Sequence, residues 1–315
     1  MGETVKRRFI SIVTPCYNEV DNVDELTERI RAVMETLPYD YEHIFIDNAS
    51  TDGTRDRIKA LAAADPRVKM IANVRNFGPV RSPMHGILAA KGDAVIFIVS
   101  DLQDPPELFP QFLEPWENGA KVVLAVKPDS ETSPLFHWMR GRYYKMLTRI
   151  SEASPVEHAT GAGLYDREVV EQFRLLDDPY PYGRGLVAEL GYPVATVPFV
   201  QPRRKRGVSK SNFTMLLDVA LLGVTNHSKA PLRIMSLVGF ATAALSLVAA
   251  ILYLIAKLIW WDVFPAGTAP IIITVFFFGA LQLFALGLVG EYVGSIHTRV
   301  RRLPLVIEAE RVNFD

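Results

Sequence analysis

Residues 9–54 read FISIVTPCYNEVDNVDELTERIRAVMETLPYDYEHIFIDNASTDGT, and this stretch decides the fold. Phe9–Thr14 is a short apolar, β-branched run, which predicts a strand. Val23–Leu37 follows with a helical pattern, then Glu42–Asp47 as a second strand and Gly53–Ala64 as a second helix. Strand, helix and strand in succession predict a parallel pair joined by a helical crossover.

Further along the chain the alternation continues. Strands are expected at Val68–Ala72, Ala94–Val99 and Lys121–Val126, with helices at Val80–Ala90 and Glu107–Asn118 between them. The fold class is therefore α/β, with a mostly parallel, doubly wound sheet. In such sheets ligands bind beyond the carboxyl ends of the strands. The polar clusters fall there: Pro15–Glu19, Asp47–Gly53, Asn73–Gly78 and Asp101–Asp104.

Each cluster has a chemical and a structural interpretation. Asp47–Gly53 offers carboxylate and amide groups to a base or ribose, yet an Asx turn capping the next helix uses the same residues. Asp52 suits the cap, and Asp47, ending the strand, is the better ligand candidate. Ser100–Glu107 places oxygen ligands in a loop, and hard cations such as Mg²⁺ take one or two carboxylates plus phosphate oxygens and waters. The same loop also resembles a helix start, with Asp104 as cap and prolines opening the helix. Asp101 is then the ligand and Asp104 structural.

The second half of the chain is different in kind. The whole has 315 residues, 49% hydrophobic and 22% charged, with a formal net charge of −1. After Lys229 charges nearly vanish until Arg299. Ile234–Ile259 and Pro270–Tyr292 each exceed the roughly 20 residues that cross a hydrocarbon core; the competing possibility is a pair of buried core helices. Trp260–Ala269 suits an aqueous turn at an aromatic interface. Basic residues flank the pair on the outside: Lys229 and Arg233 before it, Arg299, Arg301 and Arg302 after it. By the positive-inside rule both ends and the large N-terminal domain are expected to face the cytoplasm, as in a multi-pass membrane protein. Phe213, Leu216, Leu217, Ala220, Leu221 and Val224 recur at helical spacing, which predicts an interfacial amphipathic helix over Phe213–Asn226. The expected layout is an N-terminal α/β domain over 1–210, a juxtamembrane region over 211–232, a transmembrane helix pair over 233–298 and a cytoplasmic tail over 299–315. Cys16 is alone, which excludes an intrachain disulfide. The N-terminal residues lack the apolar run of a signal peptide.

Taken together, Thr14-Pro15-Cys16-Tyr17-Asn18-Glu19, Asp47-Asn48-Ala49-Ser50-Thr51-Asp52-Gly53-Thr54, Arg75-Asn76-Phe77-Gly78 and Asp101-Leu102-Gln103-Asp104-Pro105-Pro106-Glu107 resemble the family-2 glycosyltransferases, which have the GT-A fold. More narrowly the chain looks like the polyprenyl-phosphate glycosyltransferases, the group of bactoprenol glucosyltransferases and dolichyl-phosphate mannose synthase. The resemblance continues through Thr160-Gly161, Arg204-Lys205-Arg206-Gly207-Val208-Ser209-Lys210 and Gly290-Glu291-Tyr292-Val293-Gly294. It implies inverting transfer of a sugar from a nucleotide diphosphate sugar to a membrane polyprenyl phosphate, with Mg²⁺ or Mn²⁺ as cofactor. It implies donor-nucleotide contacts at Pro15, Tyr17, Glu19, Asp47 and Asn76, and a metal at Asp101 and Gln103. Partners expected on this basis are the donor, the polyprenyl phosphate, membrane lipid and further copies of the chain (a tetramer, as in bacterial relatives), and no nucleic acid.

Two departures stand out. Val99 replaces the first Asp of the usual Asp-any-Asp before Leu-Gln, so Asp101 and Gln103 are left to hold the ion with waters and diphosphate. Asn48 replaces a common second Asp after the second strand.

An acceptor phosphate is already an anion, so positioning and charge neutralisation carry the catalysis. Cations are required for that acceptor, and the candidates are Lys127, Arg140, Arg142, Arg204 and Lys210, with Ser209 in the same basic loop. Asp101, Arg140 and Arg204 are the expected catalytic residues. Attraction of Arg203–Lys210 to anionic headgroups is the plainer use of that loop. The six histidines have no zinc spacing. Glu291, with Gly287, Gly290 and Gly294 beside it, suits helix contact in the membrane. Two rival functions share the fold. A processive polysaccharide synthase would carry Gln-x-x-Arg-Trp and more spans, and no Trp here follows Arg. A silent membrane scaffold would have lost its metal, as Val99 could suggest.

Overall fold

The strand β1 (Phe9–Cys16) pairs in parallel on both sides, with β2 (Asp40–Asp47) and with β4 (Ala94–Phe97). Both of its faces are covered: Ile10, Ile12 and Val13 are fully buried, which is why the run is apolar without alternation. In this computed structural model residues 7–127, 156, 159–176, 178, 181, 183–200, 202, 230–259, 268–300 and 303–314 are described. Among them the sheet has eight strands in the order β7-β5-β6-β4-β1-β2-β3-β8. The remaining strands are β3 (Val68–Asn73), β5 (Val122–Val126), β6 (Ala159–Asp166), β7 (Val194–Pro198) and β8 (Glu308–Val312). Only β6 and β8 run against the rest, so the sheet is mostly parallel, as expected. The strand order reverses between β1 and β4, the switch point at which such sheets open a crevice.

Helices cover both faces. On one, α1 (Val23–Met34), α2 (Thr54–Ala64) and α4 (Phe109–Glu117) pack Leu26, Ile30, Ile58, Phe109 and Phe112 onto Ile10, Ile12 and Phe45. On the other, α3 (Gly78–Ala89), α5 (Arg167–Leu176) and α6 (Gly183–Leu190) pack Met84, Ile87, Val169, Phe173 and Leu186 onto Val13, Ile44 and Ile46. Gly86 lets α3 approach closely, because a Cβ there would lie 2.8 Å from Val13 Cγ1. A 3-10 turn at Pro106–Leu108 precedes α4 with Pro105 as its N-cap and no side-chain capping bond, and Asp104, expected as the cap, is buried.

Beyond the sheet lie two long helices, α7 (Ala230–Ile259) and α8 (Thr268–Val300). Among the described residues Phe277–Gly294 is long and apolar enough to cross a membrane, and none of it is buried in the protein. Leu237, Phe240, Leu245, Leu283 and Phe284 are each at least 65% exposed. These side chains are not packed into a core of this chain. The expected interfacial helix over 213–226 lies outside the described residues, as do 260–267 between α7 and α8.

The segment expected only as a tail builds the edge of the sheet. β8 pairs antiparallel with β3, Met70 opposite Val312 and Ala72 opposite Glu310. Asn313 closes the corner, its Nδ2 donating to the carbonyls of Ala62 and Val68, each at 2.8 Å.

Candidate active site

The carboxyl ends of β1, β2, β3 and β4 bring the four polar clusters to one edge of the sheet. Strain collects there. Among the described residues four non-glycine residues have positive φ, and three are in these loops: Asn18 (57°), Ala49 (62°) and Leu102 (60°). Each costs about 1–2 kcal/mol, and such residues gather where a loop must hold a set shape for function.

The loops after β1 and β2 are laced together. Asn18 N donates to Ser50 Oγ at 2.9 Å, Thr51 N to Asn18 Oδ1 at 2.8 Å, and Glu19 N to Thr54 Oγ1 at 2.9 Å. Asp52 accepts from Thr54 N at 3.0 Å, the capping use expected of it, and also from Val20 N at 3.3 Å. Those bonds hold its carboxyl below the ordinary range against the opposing pull of burial. Tyr17 stands exposed at the mouth, with Pro15 and Glu19 half-buried beside it. Glu19 Oε2 accepts from Asn22 Nδ2 at 2.6 Å.

Asp47 is wholly buried. Its carboxylate accepts from Ser50 N at 3.2 Å and pairs with Arg55 Nε at 2.9 Å. Arg55 Nη2 also donates to the carbonyl of Asn73 at 3.0 Å, tying the end of β2 to the end of β3. Arg55 is absent from the sequence-based set of site residues. A usable signal exists: a cation in the first turn of a helix opposes the macrodipole, so its presence there indicates a specific anionic partner.

The loop after β3 is organised from inside by Asn48. Its Oδ1 accepts from Phe77 N at 2.8 Å and Asn73 Nδ2 at 3.1 Å; its Nδ2 donates to Asn76 Oδ1 at 2.9 Å and to the Gly78 carbonyl at 3.3 Å. Arg75 and Arg81 lie over the Phe77 ring at 4.1 and 5.4 Å.

In the loop after β4, Asp101 Oδ1 accepts from Gln103 N at 3.1 Å, and both side chains are half-buried. Leu102 between them is buried in the core and anchors the loop. Among the described residues no three His, Cys, Asp or Glu gather as a ready-made metal cage. The donor set fits a hard cation that takes one protein carboxylate and completes its shell with diphosphate and water. Val99 contributes no oxygen. Cys16 is buried against this loop through Ser100, and burial, then the nearby Asp47 charge, raises its thiol well above the usual range, so it stays a protonated packing group.

Lys127 follows β5 at the same edge, half-buried. Because β6 runs the other way, its start is also there, Ala159 opposite Val126, which brings Thr160 and Gly161 to the site side. Arg140, Arg142, Arg204, Ser209 and Lys210 lie outside the described residues.

A mostly parallel, doubly wound sheet with acidic, amide-rich loops at its carboxyl edge is a GT-A-like α/β fold. Residues 11–174 match the family model described as glycosyl transferase family 2, and the chain belongs to that family. It is a glycosyltransferase. It is 34% identical over 300 residues to an SfII prophage-derived bactoprenol glucosyl transferase of Shigella flexneri, spanning 95% of this chain and 96% of that one. It is 31% identical to a prophage bactoprenol glucosyl transferase homolog of Escherichia coli K12, over 95% and 97%. A solved structure, glucosyl-3-phosphoglycerate synthase from Mycobacterium tuberculosis with Mn²⁺ and UDP-glucose, aligns with a TM-score of 0.49 at 20% identity, covering 69% of this chain and 78% of that one.

Proposed function

We propose that the protein transfers one sugar, with inversion, from a nucleotide diphosphate sugar to a polyprenyl phosphate at the cytoplasmic face of the inner membrane. The observation that carries this is the joining of the donor-type loops at the carboxyl edge to two long apolar helices in one chain whose relatives, matched end to end, are named bactoprenol glucosyl transferases. Pro15, Tyr17, Glu19, Asp47 and Asn76 form the donor side. Asp101 and Gln103 would hold Mg²⁺ or Mn²⁺, which when bound supplies positive charge to the diphosphate. Lys127, Arg140, Arg204, Ser209 and Lys210 would meet the acceptor phosphate. A phosphate oxygen of the acceptor forms the new bond to the anomeric carbon from the face opposite the leaving group. The bond to the diphosphate breaks with its electron pair, and the nucleotide diphosphate departs. No strong base is needed, because the nucleophile is already ionised.

The membrane arrangement follows the same lines. We read α7 and α8 as two spans, about 234–259 and 270–292. In support, β8 follows α8 in the chain and yet joins the sheet that precedes α7, so the chain must leave and return on one side.

Incubating the full-length protein in bilayers with undecaprenyl phosphate and a panel of nucleotide sugars, UDP-glucose first, tests this by mass spectrometry of the lipid phase. A single added hexose is expected. A polymer would favour a processive synthase, and no turnover of any donor a silent scaffold.

A further inference from the structure

Asn48 stands where the family commonly has Asp, and its surroundings specify an amide. Two of its partners are backbone groups whose polarity is fixed. Phe77 N–H can only donate, and Asn48 Oδ1 lies 2.8 Å away; the Gly78 carbonyl can only accept, and Asn48 Nδ2 lies 3.3 Å away. The amide therefore has one orientation. Asn76 is fixed in the same way: Gly78 N donates to its Oδ1 at 2.8 Å, and Asn48 Nδ2 donates to the same oxygen at 2.9 Å. With its oxygen occupied by two donors, the exposed Asn76 has its Nδ2 left to offer at the surface of this loop. The group offered there is a hydrogen-bond donor, suited to the oxygens of a nucleotide diphosphate. Asn73, wholly buried, supports the arrangement, its Nδ2 donating to Asn48 Oδ1 at 3.1 Å and to Ser82 Oγ at 3.0 Å.

We propose that Asn48 is the positioning residue of the donor loop 73–78, and that through Asn76 it sets the polarity of the group this loop offers the nucleotide. The proposal rests on the donor-binding reading above. An Asp at this position keeps the acceptor contacts with Phe77 and Asn73. It loses both donor contacts and sets a carboxylate oxygen against the Gly78 carbonyl and Asn76 Oδ1, two acceptors. The charged groups near position 48 are the Asp47–Arg55 pair, reaching the Asn73 carbonyl, and Arg75 and Arg81 over Phe77.

The test compares Asn48→Asp and Asn48→Ala in the full chain, with UDP-glucose as donor. Asn48→Asp should raise donor KM about 10- to 100-fold with kcat changed far less. As pH falls from 8 to 5.5 that KM should drop back, because a protonated carboxyl regains one donor; burial brings this protonation into range. Asn48→Ala should raise KM without acid recovery. An unchanged KM in Asn48→Asp, or the same pH response in both variants, overturns the proposal. Hydrogen exchange supplies a readout independent of turnover. The Phe77 amide should lose protection in Asn48→Asp while β1 and β2 keep theirs, and retained protection also overturns the proposal. If the wild type turns over no nucleotide sugar, the functional reading fails, and the exchange result still decides the loop's organisation. Should Asn48→Asp not fold, Asn48→Ser, with a hydroxyl that both donates and accepts, should give a smaller rise in KM than Asn48→Ala; an equal rise counts against the proposal.

Discussion

His43 lies in the middle of β2, buried to 1%, with Nε2 3.0 Å from Thr14 Oγ1 and its ring 4.0 Å from that of Phe45. Burial pushes its pKa down to about 3, so the folded protein holds it neutral. In the unfolded chain it titrates near 6.5. Between about pH 6.5 and 3 the unfolded state therefore binds the extra proton, and stability falls as pH falls through that window, by on the order of a few kcal/mol. Carboxylates titrate lower, so the upper part of the window reports on histidine, and replacing His43 isolates its share. Urea midpoints should decline from pH 7 to 5 in the wild type and stay flatter in His43→Gln; an equal decline in both contradicts the assignment. Leu102 is a second case. Its φ of 60° is a strained value for a bulky residue, and its side chain is 4% exposed. Burial of that side chain holds Asp101 and Gln103 in place. Leu102→Ala should cost about 2–5 kcal/mol in chemical unfolding and raise the metal concentration needed for activity. Asp47 was legible as a strand-ending carboxylate, but its partner Arg55 was not, because nothing in the local pattern says which anion a helical Arg will meet.

At the scale of elements, the helices and strands before Val126 follow from periodicity, with ends displaced by up to three residues. β1 runs to Cys16 rather than Thr14, and α1 stops at Met34 rather than Leu37. Elements after that point carry weaker patterns. β6 begins Ala-Thr-Gly-Ala-Gly, too rich in small residues to read as a strand, and β8 is Glu-Ala-Glu-Arg-Val, whose charges suit an exposed edge. The edge strand has a consequence for the site. Val74 N donates to the Ile307 carbonyl at 3.0 Å, so the tail holds the loop after β3 from outside while Asn48 bonds to it from within. Arg81 Nη2 donates to the Pro304 carbonyl, and His85 pairs with Glu308. Ending the chain at Leu303 should lower the melting temperature and raise donor KM; unchanged values would assign β8 no role in the loop. The anchor is also acid-sensitive. Glu308 is held below the ordinary carboxylate range by Arg311 first, then His85, against burial. A depressed carboxylate contributes above its unfolded pKa of about 4.3, and the contribution is lost as pH falls through the lower folded value. Hydrogen exchange in 303–314 should rise below about pH 4, less so in Glu308→Gln.

At the scale of the whole molecule, one sheet receives strands from both sides of the apolar helices. On the two-span reading proposed above, that topology would bring the chain back to the face it left. A cysteine placed at Asp262, against a background in which Cys16 is replaced by Ser, should react with impermeant reagent from outside intact cells. One placed at Glu310 should react only after lysis. The fold was readable because both faces of the parallel strands are buried, and burial writes itself into composition. The acceptor side was readable only as a list of cations, because charge alone does not say which lipid phosphate it meets. The most direct measurement of the central claim is the initial rate of sugar transfer from nucleotide sugar to polyprenyl phosphate in proteoliposomes, across Mg²⁺ and Mn²⁺ concentrations, for wild type and Asp101→Asn. Metal-dependent transfer by the wild type and a loss of about 10²-fold or more in the variant are predicted. An Asp101→Asn rate equal to wild type, or transfer indifferent to chelation of the metal, would contradict the account.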